Sequence, residues 1–396
     1  MRSKYSNLFH FILALLFLGT FYPFVHNYVL FGTQKALVSL IALGIWTISI
    51  LIRKHNNLIL PKKAFNLIVF IQIIFILFWS FVIDSQGIRA QATKIALSWV
   101  IIVLVLNSID TKYFLKTFTK LNIISLILCI IGIILVMSGI TSLVSTHVYQ
   151  SDKIIYNYVF FFIKRNDLTY LNIRPSGYYD EPGSFAYVVM LLLLLNRKFF
   201  KNIKWEYALL VLPLVTTSLA HIVTATLFLI IYYTNIKSIR YIIIIISISA
   251  VLLFAFNSFQ KTEYGQYFSS KTIDRIEKII EGEGDSGRSG GLDLGPKIFK
   301  DNYLGVSPET VKIKFPDFVN ETFWAPLIYY GIFGIGFFYL PFIYIFIKII
   351  KTRDKEDLLA FILLMFNLLQ RPNYAYPLFI LLIYYLFFTP KKELIT

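Results

Sequence analysis

The sequence is poor in cysteine and histidine, the residues on which disulfides, thiol chemistry and most zinc sites depend. Cys129 is the single cysteine, so neither an intramolecular disulfide nor a cluster of thiolate ligands can form. The five histidines show no ligand spacing such as His-x-x-x-His, which argues against a zinc site. We therefore predict a protein that uses no metal and no other cofactor.

Charged residues are also scarce, at 15% of the chain, whereas hydrophobic residues reach 57%. Apolar runs of about 15–25 residues recur from end to end, each close to the length that crosses a hydrocarbon core of roughly 30 Å. Runs such as Leu191–Leu195 and Ile242–Ile246 lack the alternation of membrane strands. The sequence therefore predicts an all-α polytopic membrane protein that forms a single integral membrane domain over residues 1–396.

The distribution of positive charge sets the predicted topology. The formal net charge is +16. With the N-terminus inside the cell, nearly all of the excess falls in cytoplasmic segments, as the positive-inside rule expects. We therefore interpret the basic clusters as determinants of topology rather than as a nucleic-acid surface: Arg53-Lys54 with Lys62-Lys63, Lys112/Lys116/Lys120, and Arg197-Lys198/Lys201/Lys204. Both termini are predicted to be cytoplasmic. The twelve predicted spans are residues 8–30, 35–52, 65–83, 93–109, 119–140, 183–196, 205–218, 219–236, 239–257, 322–349, 357–370 and 374–389.

Two predicted external loops, 141–182 and 258–321, exceed the ~12–15 residues of a simple connection. The first contains the aromatic run Tyr156–Ile163, for which we expect either a short interfacial helix or a re-entrant segment. The second contains an amphipathic helix near 271–281, whose isoleucines at helical spacing favour the outer membrane surface. Loops of this length usually carry function, so we expect the site there.

The clearest candidate is the segment Arg174–Ser184, in which ionisable residues are set among turn residues directly before a new span. Asp180 and Glu181 therefore lie at the external N-terminus of that span. They are either acids that complement the helix dipole or, for Glu181, a general base beside Arg174 as an anion clamp. We assign Asp180 the structural role.

Three further arginines are predicted on the same side of the membrane. They are Arg288 in a glycine-rich segment, Arg371 in a tight turn, and Arg89 in the short loop Asp84–Lys94. Each also has an ordinary interpretation, as a solvated loop residue or as an anchor at the interface. Together, several arginines can hold a lipid diphosphate at headgroup level without a metal. The pattern permits glycosyl transfer from a polyprenyl diphosphate, and it equally permits transport of an anionic lipid.

Three stretches resemble one known superfamily, over about residues 170–385. The stretch Arg174-Pro-Ser-Gly-Tyr-Tyr-Asp-Glu-Pro-Gly-Ser-Phe-Ala186 resembles the signature of Wzy-type O-antigen and capsular-polysaccharide polymerases. The pair Ser286-Gly-Arg-Ser-Gly-Gly291 and Phe299-Lys-Asp-Asn-Tyr-Leu-Gly305 resembles the second pattern of the polymerase/ligase superfamily. The stretch Asn320-Glu-Thr-Phe-Trp-Ala-Pro-Leu-Ile-Tyr-Tyr-Gly-Ile-Phe-Gly334 resembles the helix entry that comes after the second pattern in that superfamily.

The resemblance implies a fold like that of the metal-independent membrane glycosyltransferases, with a site on the external face of the bacterial cytoplasmic (inner) membrane. It implies that a growing glycan moves from undecaprenyl diphosphate to a sugar hydroxyl of another undecaprenyl-diphosphate-linked repeat unit. The expected partners are these lipid-linked oligosaccharides and membrane lipid, together with chain-length regulator and flippase proteins.

The resemblance also implies a role for each candidate residue. It assigns catalysis to Glu181, as the base, and to Arg174 and Arg288, which bind the donor diphosphate. It assigns substrate binding to six further residues: Arg89 and Arg371 at the diphosphate, Asn320 and Glu321 at the acceptor sugar, and Tyr178 and Tyr179 stacked on sugar rings. The alternative for the tyrosines is membership of the interfacial aromatic belt.

Two other functions stay open. A polysaccharide ligase shares the donor site and differs in its acceptor. This chain has Val319-Asn320 where many ligases have His before Asn, which favours a polymerase. A lipid-linked oligosaccharide flippase needs charged residues within its spans, and the stretches 242–257 and 376–388 hold none.

Overall fold

The computed structural model describes the chain in blocks separated by gaps. The described residues are 44–52, 58–137, 145–148, 154–157, 162–165, 173–177, 179, 182–216, 218–233, 289–318, 322, 324–370 and 376–389. A helical segment over 44–52 comes first. The labelled helices are α1 Lys63–Val82, α2 Gln86–Ser108, α3 Thr111–Met137, α4 Pro182–Leu195, α5 Ile203–Val211, α6 Leu219–Tyr233, α7 Ser289–Asp301, α8 Pro308–Lys314, α9 Trp324–Phe338, α10 Leu340–Thr352, α11 Lys355–Gln370 and α12 Pro377–Phe388.

Within the described residues, four helical stretches are long and apolar enough to cross a membrane: Lys63–Val82, Gln86–Ser108, Thr111–Leu135 and Pro182–Phe200. The last includes the π-helical turn Asn196–Phe200 that continues α4. Two further helices, Ala220–Tyr233 and Pro377–Phe388, are apolar but shorter. The structure is mostly helical, and its apolar helices indicate a membrane protein, as the sequence predicts in this coarse form.

Two helices begin earlier than their predicted spans because side chains cap them. Ser85 Oγ accepts a hydrogen bond from the Ile88 amide at 3.3 Å, so α2 starts at Gln86 rather than at 93. Asp110 Oδ1 accepts from the Tyr113 amide at 2.7 Å, and α3 starts at Thr111 rather than at 119. Such caps satisfy amides that have no partner in the first turn. The loop predicted over Asp84–Lys94 is therefore wrong, because most of it is helix.

The predicted span 322–349 is broken. Gly331 has φ 63° and ψ −179° inside α9, a conformation that side chains rarely adopt. A Cβ atom there would lie 2.4 Å from the carbonyl carbon of Leu304. The break admits the segment Tyr303–Val306, which is hydrogen-bonded through Val306 N–H to Ile328 O at 2.9 Å and through Ile332 N–H to Tyr303 O at 3.0 Å. A second interruption, at Tyr339, separates α9 from α10.

A small sheet occupies the predicted loop 141–182. Its strands β1 Ser145–Val148, β2 Ile154–Asn157, β3 Phe162–Arg165 and β4 Ile173–Gly177 pair antiparallel in sequence order. Strand β2 is rich in Ile and Tyr, which favour strands. The strands are too short to sustain helices. The sheet is a small exception within a mostly helical structure, and β2 and β3 occupy both ends of Tyr156–Ile163, where a short interfacial helix or a re-entrant segment is predicted.

Helix α4 lies at the centre of the described core. Every residue of α4 except Gly183 is buried, and the helix contacts α5, α6, α11 and α12. All of α12 is buried as well. A helix that is apolar around its whole circumference is buried either in protein or in lipid, and the leucine run of α4 is buried among its protein neighbours.

Candidate functional site

Six of the sequence-predicted site residues lie outside the described residues: Glu181, Arg288, Arg371, Asn320, Glu321 and Tyr178. The amphipathic helix predicted near 271–281 also lies outside them. The structure therefore bears on Arg174, Tyr179 and Arg89. Arg174 occupies β4, where its backbone is opposite Lys164 of β3.

Tyr179 is fully buried. Its hydroxyl donates to Asn122 Oδ1 at 2.6 Å, and its ring stacks on Phe185 with centroids 4.8 Å apart. Its amide donates to Ser176 O at 3.0 Å. A sugar would reach the ring only after this packing is undone. In the structure Tyr179 is a packing residue and not the exposed stacking surface that the sequence predicts.

The segment that ends in Tyr179 packs against the middle of a candidate span rather than lying over its end. Gly177 has φ 60°, and a Cβ atom there would lie 2.7 Å from both Ser125 Oγ and the Phe185 ring. Asn122 and Ser125 both lie near the centre of α3. The loop predicted at the membrane surface therefore returns into the helices before α4 begins.

Arg89 lies in the first part of α2, not in a loop. Its Nη1 is 3.6 Å from Asp84 Oδ1, and its guanidinium carbon is 5.8 Å from the Phe81 ring centroid. The Asp84 side chain is 94% exposed, so solvent screens the pair strongly. These contacts match the anchoring interpretation of Arg89 better than a role at a substrate.

A cavity of about 320 Å³ lies between the start of α2, the start of α8 and helix α9. One face of α2 lines it, through residues at helical spacing. The α2 residues are Gly87, Ile88, Ala90, Gln91 and Lys94; the others are Pro308, Ala325, Pro326, Tyr329, Tyr330 and Phe338. We call this space the α2–α9 cavity. Residues 87–91 and Pro308 of its lining fall in predicted external loops, and Lys94 and the α9 residues fall in the predicted spans 93–109 and 322–349, which begin on the external side.

Two polar groups in the α2–α9 cavity are poorly satisfied. The Lys94 ammonium is half-buried, 4.7 Å from the Tyr376 ring centroid. Within the described ranges no carboxylate or hydrogen-bond acceptor contacts it. Gln91 Oε1 is buried and has no hydrogen-bond partner among the described residues. Buried polar groups normally have partners, so the cavity presents one cation and one acceptor for a ligand that carries both an anion and a hydroxyl.

The Glu309 carboxylate joins α8 to the start of α2 beside the α2–α9 cavity. Glu309 accepts hydrogen bonds from the Gly87 amide at 2.7 Å and from Ser85 Oγ at 2.9 Å. Partial burial by itself raises the pKa of Glu309, but these bonds and those from the Glu309 amide and Ser307 outweigh it, and the pKa lies below its usual value. The carboxylate also faces the positive end of the α2 dipole. Glu309 therefore positions α8 against α2.

Sequence reasoning missed Lys94, Gln91 and Glu309. Lys94 has a local signal, since a lysine inside an apolar run is expensive and usually functional, but it stands where the predicted span 93–109 overlaps the predicted loop Asp84–Lys94. Glu309 had none, because its partners lie more than two hundred residues away. Across the part of the chain that the structure describes, no group of His, Cys, Asp and Glu side chains is arranged to hold a metal.

Neither the models of known protein families nor the curated proteins match this chain. The interpretation of the site therefore rests on its own residues and on the resemblance of the three stretches.

Proposed function

We propose that this protein is a membrane glycosyltransferase that polymerises lipid-linked oligosaccharide repeat units. The observation that carries the proposal is the α2–α9 cavity. There Lys94 and Gln91 Oε1, which have no carboxylate and no hydrogen-bond partner respectively among the described residues, meet two tyrosines of the resembling stretch Asn320–Gly334. A sugar attached to a diphosphate has the matching groups, namely an anion, hydroxyl donors and an apolar ring face.

Contact between the resembling stretches supports the proposal. Tyr303–Val306 overlaps one of them and Ile328–Ile332 belongs to the other, and their backbones are hydrogen-bonded together. Gly305 and Gly331 permit this approach, each with a positive φ. Residues far apart in sequence thus form one unit that borders the cavity, as expected if both stretches serve a single site.

The proposed reaction transfers a glycan without a metal. An acceptor sugar hydroxyl attacks the anomeric carbon of the donor glycan, a new carbon–oxygen bond forms, and the bond to the diphosphate oxygen breaks. The hydroxyl proton passes to a base, and undecaprenyl diphosphate leaves with the electron pair. Lys94 would stabilise the charge on that diphosphate, and Gln91 Oε1 would accept a hydrogen bond from a sugar hydroxyl. Glu181 stays the proposed base, with Arg174 and Arg288 as further diphosphate ligands.

The proposal includes the predicted topology, with twelve spans, both termini in the cytoplasm and the site on the external face of a bacterial cytoplasmic membrane. Its support is that residues predicted on the external side meet: the start of α2, Pro308, the start of α9 and Tyr376. Chain-length regulator and flippase proteins are the proposed partners.

The test is polymerisation in a purified system. The protein is given undecaprenyl-diphosphate-linked repeat units from its own cells, and chain length is followed on a gel. We expect a ladder of products from the wild type and a rate lower by roughly tenfold to a hundredfold for Lys94→Gln, because the diphosphate loses a buried cation. Lys297→Gln, an exposed change on α7, is the matched control and should retain the wild-type rate.

The outcomes separate the claims. An unchanged ladder from Lys94→Gln removes Lys94 from the site. Absence of any ladder from the wild type contradicts the polymerase proposal, and transfer to a different acceptor instead identifies a ligase.

A lipid-linked oligosaccharide transporter is the second candidate, and Lys94 favours it too. A cation that lines a cavity from within a candidate span is what a transport pathway for an anionic headgroup requires. Movement of the lipid-linked repeat unit across a vesicle bilayer, without chain growth, would support this function over the first.

A further inference from the structure

The turn that joins α7 to α8 exposes apolar side chains. We call residues 302–306 the α7–α8 turn. Within it, Tyr303 is 57% exposed and Leu304 is 49% exposed. The turn falls in the predicted external loop 258–321, where turns that face water are normally polar. Its exposed face therefore calls for a partner other than water.

The break in α9 fixes the position of the α7–α8 turn. The backbone of Leu304 lies against Gly331, where a Cβ atom would be 2.4 Å from the Leu304 carbonyl carbon. Tyr303 O accepts a hydrogen bond from the Ile332 amide at 3.0 Å. The turn is thus held beside the middle of α9 and does not lie above the end of that helix.

Contacts between α9 and α1 relate this position to a candidate span. Phe337 stacks on Phe75 with ring centroids 3.7 Å apart, and a Cβ atom at Gly334 would lie 3.7 Å from both Phe75 and Trp79. Progress toward the start of α9 is therefore progress toward the end of α1. Gly331 comes about one helical turn before Gly334, so it lies at the level of the last turn of α1. Since α1 is apolar and long enough to cross a membrane, the α7–α8 turn lies at the depth of the apolar end of a span.

Backbone amides on both sides of the exposed residues bond within the protein. The Asn302 amide donates to Phe299 O at 3.1 Å, and the Gly305 amide donates to Asn302 O at 2.8 Å. The Val306 amide donates to Ile328 O at 2.9 Å. A segment that is not helical is tolerated at membrane depth only where its polar backbone groups have partners of this kind. The turn meets that requirement and directs apolar side chains outward.

The order of charged and uncharged residues fits the same position. Between Asp301 and Glu309 the chain carries no charged residue. Exposed charged side chains stand on either side of this stretch, with Lys300 and Asp301 at the end of α7 and Lys312 on α8. Charged groups that flank an apolar segment are typical of the headgroup level, and tyrosine is enriched there.

We propose that the α7–α8 turn inserts into the external leaflet and that lipid is the partner of its exposed face. Leu304 contacts acyl chains, the Tyr303 ring lies at the interface, and Lys300 stays among the headgroups. The turn packs against the backbone of Tyr329 and Tyr330, which line the α2–α9 cavity, so this lipid contact adjoins the wall of that cavity. The inference does not depend on glycosyl transfer.

Spin-label accessibility tests the proposal on the full chain in vesicles of phosphatidylethanolamine and phosphatidylglycerol. A nitroxide is attached to Leu304→Cys, and its collisions with oxygen, which dissolves in hydrocarbon, and with a polar nickel chelate, which stays in water, are measured. The matched control is Asp317→Cys, an exposed position of the same predicted loop. Its neighbour Phe318 shares an apolar cluster with Ala325 at the start of α9. The single cysteine of the wild type, Cys129, is buried, so unmodified protein measures the background.

We expect the ratio of oxygen to nickel collisions to be roughly tenfold or more higher at residue 304 than at residue 317, because hydrocarbon excludes the polar chelate. Equal ratios at the two positions would show that the turn faces water and would overturn the proposal. Few collisions with either reagent at residue 304 would show that another segment or a second copy covers the turn, which would overturn it as well. Should Leu304→Cys not fold, Tyr303→Cys provides the same comparison with the same expected ratio.

Discussion

Tyr179 shows how one residue holds the segment that resembles the polymerase signature. Its hydroxyl reaches Asn122 near the centre of α3, and the bond is buried at both ends. A buried acceptor that loses its donor is shielded from water and has no hydrogen bond in exchange, which destabilises the folded state. The residue therefore ties the end of β4, the strand that carries Arg174, to α3, even though its own ring is covered.

We expect Tyr179→Phe to lower the free energy of unfolding by about 1–3 kcal/mol, because Asn122 Oδ1 is left buried without a donor. Thermal unfolding in detergent measures this. Tyr187→Phe is the matched control, since the Tyr187 hydroxyl is buried without a partner among the described residues. That change should cost little or should stabilise the protein. Equal destabilisation by the two changes would contradict the role of the Asn122 contact.

Lys94 and Gln91, in contrast to Tyr179, are polar residues that the described contacts leave poorly satisfied. A satisfied side chain such as Tyr179 stabilises the fold, whereas a half-buried cation and an amide oxygen that has no partner among the described residues cost stability. Such costs persist where binding offsets them. The contrast between the two kinds of buried polar group favours binding in the α2–α9 cavity over binding at Tyr179.

Among the elements, the broken helix α9 requires glycine at residue 331. The contact of Gly331 with the Leu304 carbonyl leaves no room for a side chain. We expect Gly331→Ala to lower the free energy of unfolding by about 1–3 kcal/mol through backbone strain, and the clash with Leu304 adds to this loss. The matched change Gly336→Ala meets nothing within 4 Å and should stabilise the helix slightly, by up to about 1 kcal/mol. Chemical unfolding measures both. Similar effects from both glycines would contradict the packing argument.

The junction of α8 with α2 should respond to pH through Glu309. Its pKa is lowered in the folded protein, so the charged form stabilises the junction above the usual glutamate pKa of about 4.3. That stabilisation is lost as the pH falls through the lowered value. Hydrogen exchange at the Gly87 amide reports on the junction. Glu309→Gln should lower the protection of that amide at neutral pH.

The difference in protection between wild type and Glu309→Gln should shrink as the pH falls through the lowered pKa. The amide of Val311, which donates to Ser307 O within α8, is the internal control. A difference that is constant with pH would show that the carboxylate charge has no part in the junction.

For the whole molecule, the sequence predicts the helical membrane class, because long apolar runs have few other solutions. It does not predict where helices start, because Ser85 and Asp110 act through short polar contacts that a hydropathy window overlooks. It also does not predict the break at Gly331, because the cause lies in the distant segment Tyr303–Val306. Long-range contacts of this kind leave no periodic trace in the chain.

The candidate site, like the fold, could be predicted from the sequence only in part. Arg89 could be found from its charge and its predicted side of the membrane, but its helical position and its contact with Asp84 could not. The small sheet escaped prediction because four-residue strands are shorter than the windows in which alternation can be recognised. Lys94 could have been found from its sequence alone, as a cation inside an apolar run.

The enclosure of α4 has a consequence for how the protein is made. Its partner α12 lies at residues 377–388, almost two hundred positions later. During synthesis α4 must therefore wait in the bilayer, with lipid on faces that protein later covers. With the π-helical turn that continues it, the stretch Pro182–Phe200 has 19 residues and extends about 28 Å, close to the hydrocarbon thickness. A ribosome that stops before residue 377 would leave this helix without its protein cover and exposed to membrane quality-control proteases.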